Sequence, residues 1–222
     1  DGEFGKLALQ GDASNLTPLV MAMQTWPLAQ AARETFHLDF NDWQLLGSVG
    51  DVYDCQLVRH RVSKLKASWL VAIWLEHLAL SAAGKLTKPT QLLALDNGSL
   101  GEWTLEVLNV EDARAQLQLW WAAFLAGMQR PLCLPVNTAW VWLEKALTES
   151  GDLGDAAQQL QARESAQKTY LGDGSFVIGE VQDTYLARCF PELTDMHWLE
   201  IQTWAVQLLL PLRQHLQEAE HE

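Results

Sequence analysis

Apolar positions along this chain change period several times, and each change marks a new element. Leu16, Leu19, Val20, Met23 and Trp26 fall three or four residues apart, which predicts a helix over about 16–25. Pro27 ends or kinks it, because proline lacks an N–H and its ring crowds the preceding turn, and a second helix is expected over about 28–35. The period then shortens. Residues 43–49 (WQLLGSV) and 56–62 (QLVRHRV) are short β-favouring runs around the turn formers Gly50, Asp51 and Asp54, the pattern of an antiparallel pair. Helical spacing returns from Lys64 to Ser81, with Trp69, Ile73 and Leu80 on one face and Leu70, Trp74 and Leu78 beside them. So wide an apolar stripe is largely buried.

Gly84 closes that helix. Gln91–Leu95 and Glu102–Leu108 then flank Asp96-Asn97-Gly98, whose Asn-Gly step tolerates the positive φ of a tight hairpin. Over 111–128, Leu117, Trp121, Phe124, Leu125 and Met128 recur at helical spacing, and Glu111 and Asp112 sit at the positive end of the helix dipole. Helices are also expected over about 138–149, 153–169, 182–189 and 195–216, the last bent at Pro211. The fold class is therefore α+β: a small antiparallel sheet flanked by helices, with a helical C-terminal part.

Composition fits a packed chain. It is 49% hydrophobic and 19% charged over 222 residues, unlike a disordered chain. Single cores stop growing near ~250–300 residues, so residues 1–222 read as one domain. The opening Asp1-Gly2-Glu3-Phe4-Gly5 has neither the basic start nor the apolar stretch of a secretory signal, and the sequence reads as a piece of a longer protein. No run approaches the ~18 apolar residues of a membrane span. Glu76, His77, Gln116 and Gln118 interrupt the longest ones. Cys55, Cys133 and Cys189 make neither a disulfide framework nor a zinc spacing, which suits a reducing, cytoplasmic setting.

The net charge of -13 argues against the whole surface binding nucleic acid, but its distribution changes that picture. Residues 57–88 carry six basic groups against one acid, whereas 1–56 carry two against eight and 89–222 carry seven against nineteen. One basic island thus sits in an acidic chain. Its dense part, Arg59-His60-Arg61-Val62-Ser63-Lys64-Leu65-Lys66, makes a field that attracts phosphate. The plainer reading is a solvated strand edge running into a helix start.

Gly84-Lys85-Leu86-Thr87 is not a phosphate loop, since the first glycine of such a loop would be position 79, which is Ala79, and the hydroxyl residue does not follow Lys85 directly. No Ser sits in G-x-S-x-G and no Cys has a local His partner. His37, His60, His77, His197, His215 and His221 show no H-x-x-x-H pair, so no metal ligand or cofactor is expected from them. Magnesium nucleases on hairpin scaffolds need an acid on one strand, then an acid and a lysine two residues apart on the next. The second strand offers Arg59 and Arg61 at that spacing, and guanidiniums repel a cation. The eleven tryptophans suit a core. Trp120 beside Trp121, and Trp140 with Trp142, cannot all face one core, and point also to a second buried surface or a partner interface.

Several stretches together resemble one family. They are Gly2-Glu3-Phe4-Gly5; Leu46-Gly47 followed by the strand ending Arg59-His60-Arg61; Trp74-Leu75-Glu76-His77-Leu78; Gly127-Met128-Gln129-Arg130-Pro131-Leu132; and Tyr185-Leu186-Ala187-Arg188-Cys189-Phe190-Pro191 before Leu209-Leu210-Pro211-Leu212. In this order and spacing the chain resembles the C-terminal domain of RecC, the gamma subunit of exodeoxyribonuclease V, a bacterial helicase and nuclease complex that processes double-stranded DNA ends. The resemblance implies a fold like that of PD-(D/E)xK nucleases with the active-site residues lost. It also implies a noncatalytic, structural and DNA-handling role in a heterotrimer with the beta and delta subunits (RecB and RecD), in contact with duplex ends and unwound single strands.

On this reading Arg59, Arg61, Lys64 and Lys66 are the candidate phosphate contacts, which would position DNA rather than read its sequence. Two other readings compete with it. One is an active magnesium nuclease built on Asp51 or Asp54 with Glu102 or Glu106. The other is a pure protein-interaction module, for which the overall acidity speaks.

Overall fold

The computed structural model describes residues 15–27, 30–96, 98–172 and 178–219; the stretch 2–5 and position 97 lie outside them. The chain divides into two units, one over residues 1–65, 72–115 and 215–222, the other over 66–71 and 116–214.

The first unit is built on a mixed sheet whose six described strands lie in sequence order. A helix over 15–23, α1, precedes β1 (Ala32–Asp39), β2 (Gln44–Tyr53) and β3 (Gln56–Arg61). Next come α2 (Ala67–Ala82), β4 (Thr90–Asp96) and β5 (Ser99–Leu105), and the short β6 (Leu216–Glu218) closes the sheet. Strand β1 takes residues 32–35 of the helix expected over about 28–35, of which 28 and 29 lie outside the described residues. The Gln-Ala-Ala-Arg-Glu run favours helix locally, but Glu34, Phe36 and Leu38 alternate inward and pair along β2 from Ala32↔Val52 to Asp39↔Gln44. Tertiary pairing overrides propensity here. Phe36 lies directly across from Gly47, and a Cβ on that glycine would stand 2.6 Å from the ring, so only glycine admits the aromatic.

The antiparallel β2·β3 pair forms as expected, and of the three turn formers Asp54 makes its turn. Asp54 and Cys55, with φ of 46° and 60°, make a two-residue turn closed by Tyr53↔Gln56, the primed geometry that matches strand twist. Gly50 and Asp51 lie instead within β2, where one extra residue shifts the register against β1 and Asp51 adopts φ 56°. This is a β-bulge, which bends a strand and ends regular pairing.

The expectation of a wholly antiparallel sheet is corrected at β3·β4, which runs parallel from Val58↔Gln91 to Arg61↔Ala94. Helix α2 causes this, since a helical crossover returns the chain to the same end of the sheet. The second hairpin starts at Ser99 rather than Glu102, pairing Asp96↔Ser99. The expected last helix gives up residue 216 to β6, which pairs with β5. Val49, Val52 and Leu57 pack with Leu80 and Leu86; Leu19 of α1 packs on Leu93 and Leu95.

The second unit is helical: part of α3 (Val110–Gln129), then α4 (Val136–Ala146), α5 (Ala156–Leu171), α6 (Thr184–Cys189) and α7 (Asp195–Trp204). Trp142, Trp198 and Tyr170 are its largest fully buried side chains among the described residues. Caps are explicit: Asp155 accepts from the Gln158 N–H, and Asp183 from those of Tyr185 and Leu186. Pro135 cannot cap α4. The Glu180 carboxylate does so instead, accepting from the amides of Asn137 and Thr138 at 3.0 and 2.6 Å. The bend expected at Pro211 takes the form of a π-helical stretch, Ala205–Leu209, ahead of α8 (Leu210–His215). There the Leu210 N–H reaches back to Ala205; proline's missing donor and ring displace the regular register.

Candidate nucleic-acid interface

Alternation along β3 puts Leu57, Arg59 and Arg61 on one face. Leu57 packs against Leu80 of α2, and Arg59 meets Glu76, one turn earlier on that helix. Arg59 Nε donates to Glu76 Oε2 at 2.8 Å, and Nη1 to Asp51 Oδ2 at 3.3 Å. Nη1 also donates to the Gly50 and Val58 carbonyls, each at 3.1 Å. Pairing between β2 and β3 stops at Val52↔Leu57, and the guanidinium bridges the splayed end through the bulge carbonyl. Its side chain is 16% exposed.

The other expected cations stand further out. Arg61 is half-buried and donates through Nε to Ser63 Oγ at 2.5 Å. Lys64, Lys66 and the neighbouring His60 are exposed. The acids weighed for a metal are dispersed. Asp54 lies 2.5 Å from Lys88 Nζ, whose hydrogen bond holds its carboxyl below the usual range. Glu102 accepts from Gln91 Nε2 at 3.3 Å, and Glu106 is exposed. Asp51 and Glu76 are brought together, but around a guanidinium. Among the described residues, no group of three or more His, Cys, Asp or Glu is arranged to hold a metal ion.

Glu76 was missed in the sequence, although an acid inside so apolar a helix signals that it needs a cation. Its neighbour His77 is fully buried, with Nδ1 2.8 Å from Thr90 Oγ1 and its ring stacked on Trp74. Burial lowers its pKa to about 4, so it is neutral at pH 7. Cys133 is buried, which pushes its thiol up to about 12 and leaves it unreactive.

The tryptophan pairs separate as their spacing implied. Trp140 and Trp142 are buried. Trp120 and Trp121 are half-buried, and Trp121 stacks on Phe124 at 5.2 Å. Phe124, Leu125 and Met128 follow it at helical spacing and are exposed, Met128 by 71%. No charged side chain occurs from 115 to 129, so α3 presents an uncharged apolar stripe of the kind that marks protein contacts.

With this geometry in place, comparison with known proteins is decisive about kinship. The family model of the RecC C-terminal domain matches residues 1–147. The chain belongs to the RecC C-terminal domain family. Its relatives include the RecBCD enzyme subunit RecC of Escherichia coli (strain K12), 29% identical over 174 residues, or 78% of this chain and 15% of that protein. RecC of Buchnera aphidicola subsp. Acyrthosiphon pisum is 26% identical over 154 residues, 68% of this chain and 14% of that protein. RecC of Buchnera aphidicola subsp. Schizaphis graminum is 20% identical over 211 residues, 94% and 19% respectively. The chain therefore spans less than a fifth of the RecC subunits it matches. The basic strand, Glu76 and the whole of α3 and α4 fall inside the family match; α5, α6, α7 and α8 lie beyond it. Among the described residues no helix is long and apolar enough to cross a membrane.

Proposed function

We propose that residues 1–222 act as one noncatalytic module of the gamma subunit of a RecBCD enzyme, holding DNA during end processing and docking the beta and delta subunits in the bacterial cytoplasm. The observation that carries this reading is Arg59. Where a magnesium site would gather carboxylates on neighbouring strands, a guanidinium is bound between Asp51 and Glu76 and occupies the place a cation would take between them. A mixed sheet between helices fits the inactive PD-(D/E)xK scaffold implied by the resemblance. In this reading Arg59 positions the strand, and Arg61, Lys64 and Lys66 contact phosphate.

Fluorescence anisotropy over a salt series tests the contacts. Changing Arg61, Lys64 and Lys66 together to Ala should weaken DNA binding and reduce the salt slope by about 0.7–0.9 per lost cation; an unchanged slope removes the assignment. Incubation with linear duplex DNA and magnesium or manganese tests the chemistry. No cleavage is expected, and cleavage that disappears in Asp51→Ala would establish the nuclease instead. For partners, Leu125→Glu with Met128→Glu should lower co-purification with the other subunits, because charge on the α3 stripe cannot be desolvated. Intact co-purification would place the docking surface elsewhere.

A further inference from the structure

A cavity of about 340 Å³ opens in the first unit at the C-terminal ends of β3 and β4. Among the described strands this is the one parallel pair, and such strand ends are where crevices form in sheets with helical crossovers. The volume is at the low end of the ~300–1,000 Å³ that small ligands occupy. Its walls divide by chemistry. Leu16, Val62 and the buried Leu95 offer apolar contact, and Asn15, Ser63 and Asp96 offer polar groups.

We propose that this cavity receives one unpaired nucleobase of a DNA strand and favours bases that carry an exocyclic amino group. This rests on the reading that the chain contacts DNA, and it adds a site to that reading.

The polar groups select the occupant. The Asp96 carboxylate is acceptor-only at neutral pH, so it repels an anion placed inside; a phosphate belongs at the rim, where exposed Lys64 directly follows Ser63. The apolar wall of Leu16, Val62 and Leu95 suits a ring, whose face packs whatever its identity. The edge is what differs between bases. A carboxylate accepts from the amino group of cytosine but meets a carbonyl oxygen at the same position of thymine. Ser63 Oγ accepts from Arg61 Nε at 2.5 Å, which leaves its own hydrogen for an acceptor on the base. Asn15 supplies one donor group and one acceptor.

The test compares oligo-dC with oligo-dT in anisotropy titrations of the intact protein that carries this chain. The wild type should bind oligo-dC at least about five-fold more tightly, the lower end of what one good base-edge contact gives. Asp96→Asn should abolish that preference, chiefly by raising oligo-dT affinity, because the amide can donate to the thymine carbonyl. Asp96 is exposed, so this variant keeps its fold. Val62→Trp, at a position 61% exposed, should fill the cavity, weakening single-strand binding and sparing blunt duplex. Equal binding of both oligonucleotides by the wild type, or a preference that survives Asp96→Asn, overturns the base site and leaves the phosphate contacts standing. Failure of the wild type to bind any DNA overturns both.

Discussion

Replacing Arg59 with Ala distinguishes a residue that holds the sheet from one that holds phosphate. The guanidinium makes four hydrogen bonds, but they are not equal. The Asp51 side chain is 63% exposed and Glu76 37%, so water replaces much of what either carboxylate loses. Exposed ion pairs are worth ~0.2–1 kcal/mol, which sets the Asp51 contact near the bottom of that range and the Glu76 contact at about 1 kcal/mol. The carbonyls of Gly50 and Val58 add about 0.5–1 kcal/mol together. Lost packing of a mostly buried stem contributes about as much again. Arg59→Ala should therefore destabilise the protein by about 2–3 kcal/mol. At ~2–4 °C per kcal/mol for a chain of this size, calorimetry should show Tm lower by about 5–10 °C. A double-mutant cycle with Glu76→Gln should return a coupling of about 1 kcal/mol. A pure phosphate contact behaves in the opposite way: Tm unchanged, and the salt slope of DNA binding lower by about 0.9. That outcome would refute the assignment of Arg59 to an internal network.

Three further outcomes follow from the same coordinates. His77 has a folded pKa of about 4 against ~6.5 unfolded, so the unfolded chain binds more protons between those values. Its contribution is complete above about pH 6.5 and falls away as the pH drops towards 4, by about 2 kcal/mol at pH 5; urea unfolding of His77→Gln should show a flatter slope over pH 6.5–5. Glu180→Ala removes the carboxylate that caps α4 and should cost about 1–2 kcal/mol, with Glu180→Gln, which keeps one acceptor, intermediate in thermal unfolding. The pair Arg59→Asp and Arg61→Lys would cluster three carboxylates, with a lysine two residues along the same strand face and no guanidinium between them. Its Tm should be low in chelator and rise with millimolar magnesium by binding linkage, whereas the wild type should not respond.

Elements with a strong local signal were legible in the sequence, and those fixed by distant partners were not. The β2·β3 pair, α2, the hairpin around Gly98 and α3 carry their own periodicity and turn residues. Strand β1 does not: its first residues favour helix, and only the pairing with β2 makes Phe36 and Leu38 read as alternating. Strand β6 is three residues long and exists because β5 offers an edge. The parallel β3·β4 pairing could have been reached from the order strand, helix, strand, since a helix of that length returns the chain to its starting end. At the site, Arg59 and Arg61 were visible as cations at strand spacing. Their different fates were not, because Glu76 is a turn of α2 away and Asp51 reaches Arg59 only through a bulge whose positive φ no local motif announces.

The basic island thus resolves into two kinds of charge. Arg59 is paired with acids contributed by β2 and α2, two carboxylates against one guanidinium, so its field is cancelled within a few ångströms. Lys64 and Lys66 have exposed side chains on a protein of net charge -13, so what they attract is decided locally, within about 8–10 Å at physiological salt. Such short range favours a ligand whose phosphates come close over one that is steered from afar. On the function proposed above, association should accordingly be slow for free duplex and efficient only when partner subunits deliver the strand, which would make the α3 stripe and the cationic segment two parts of one requirement.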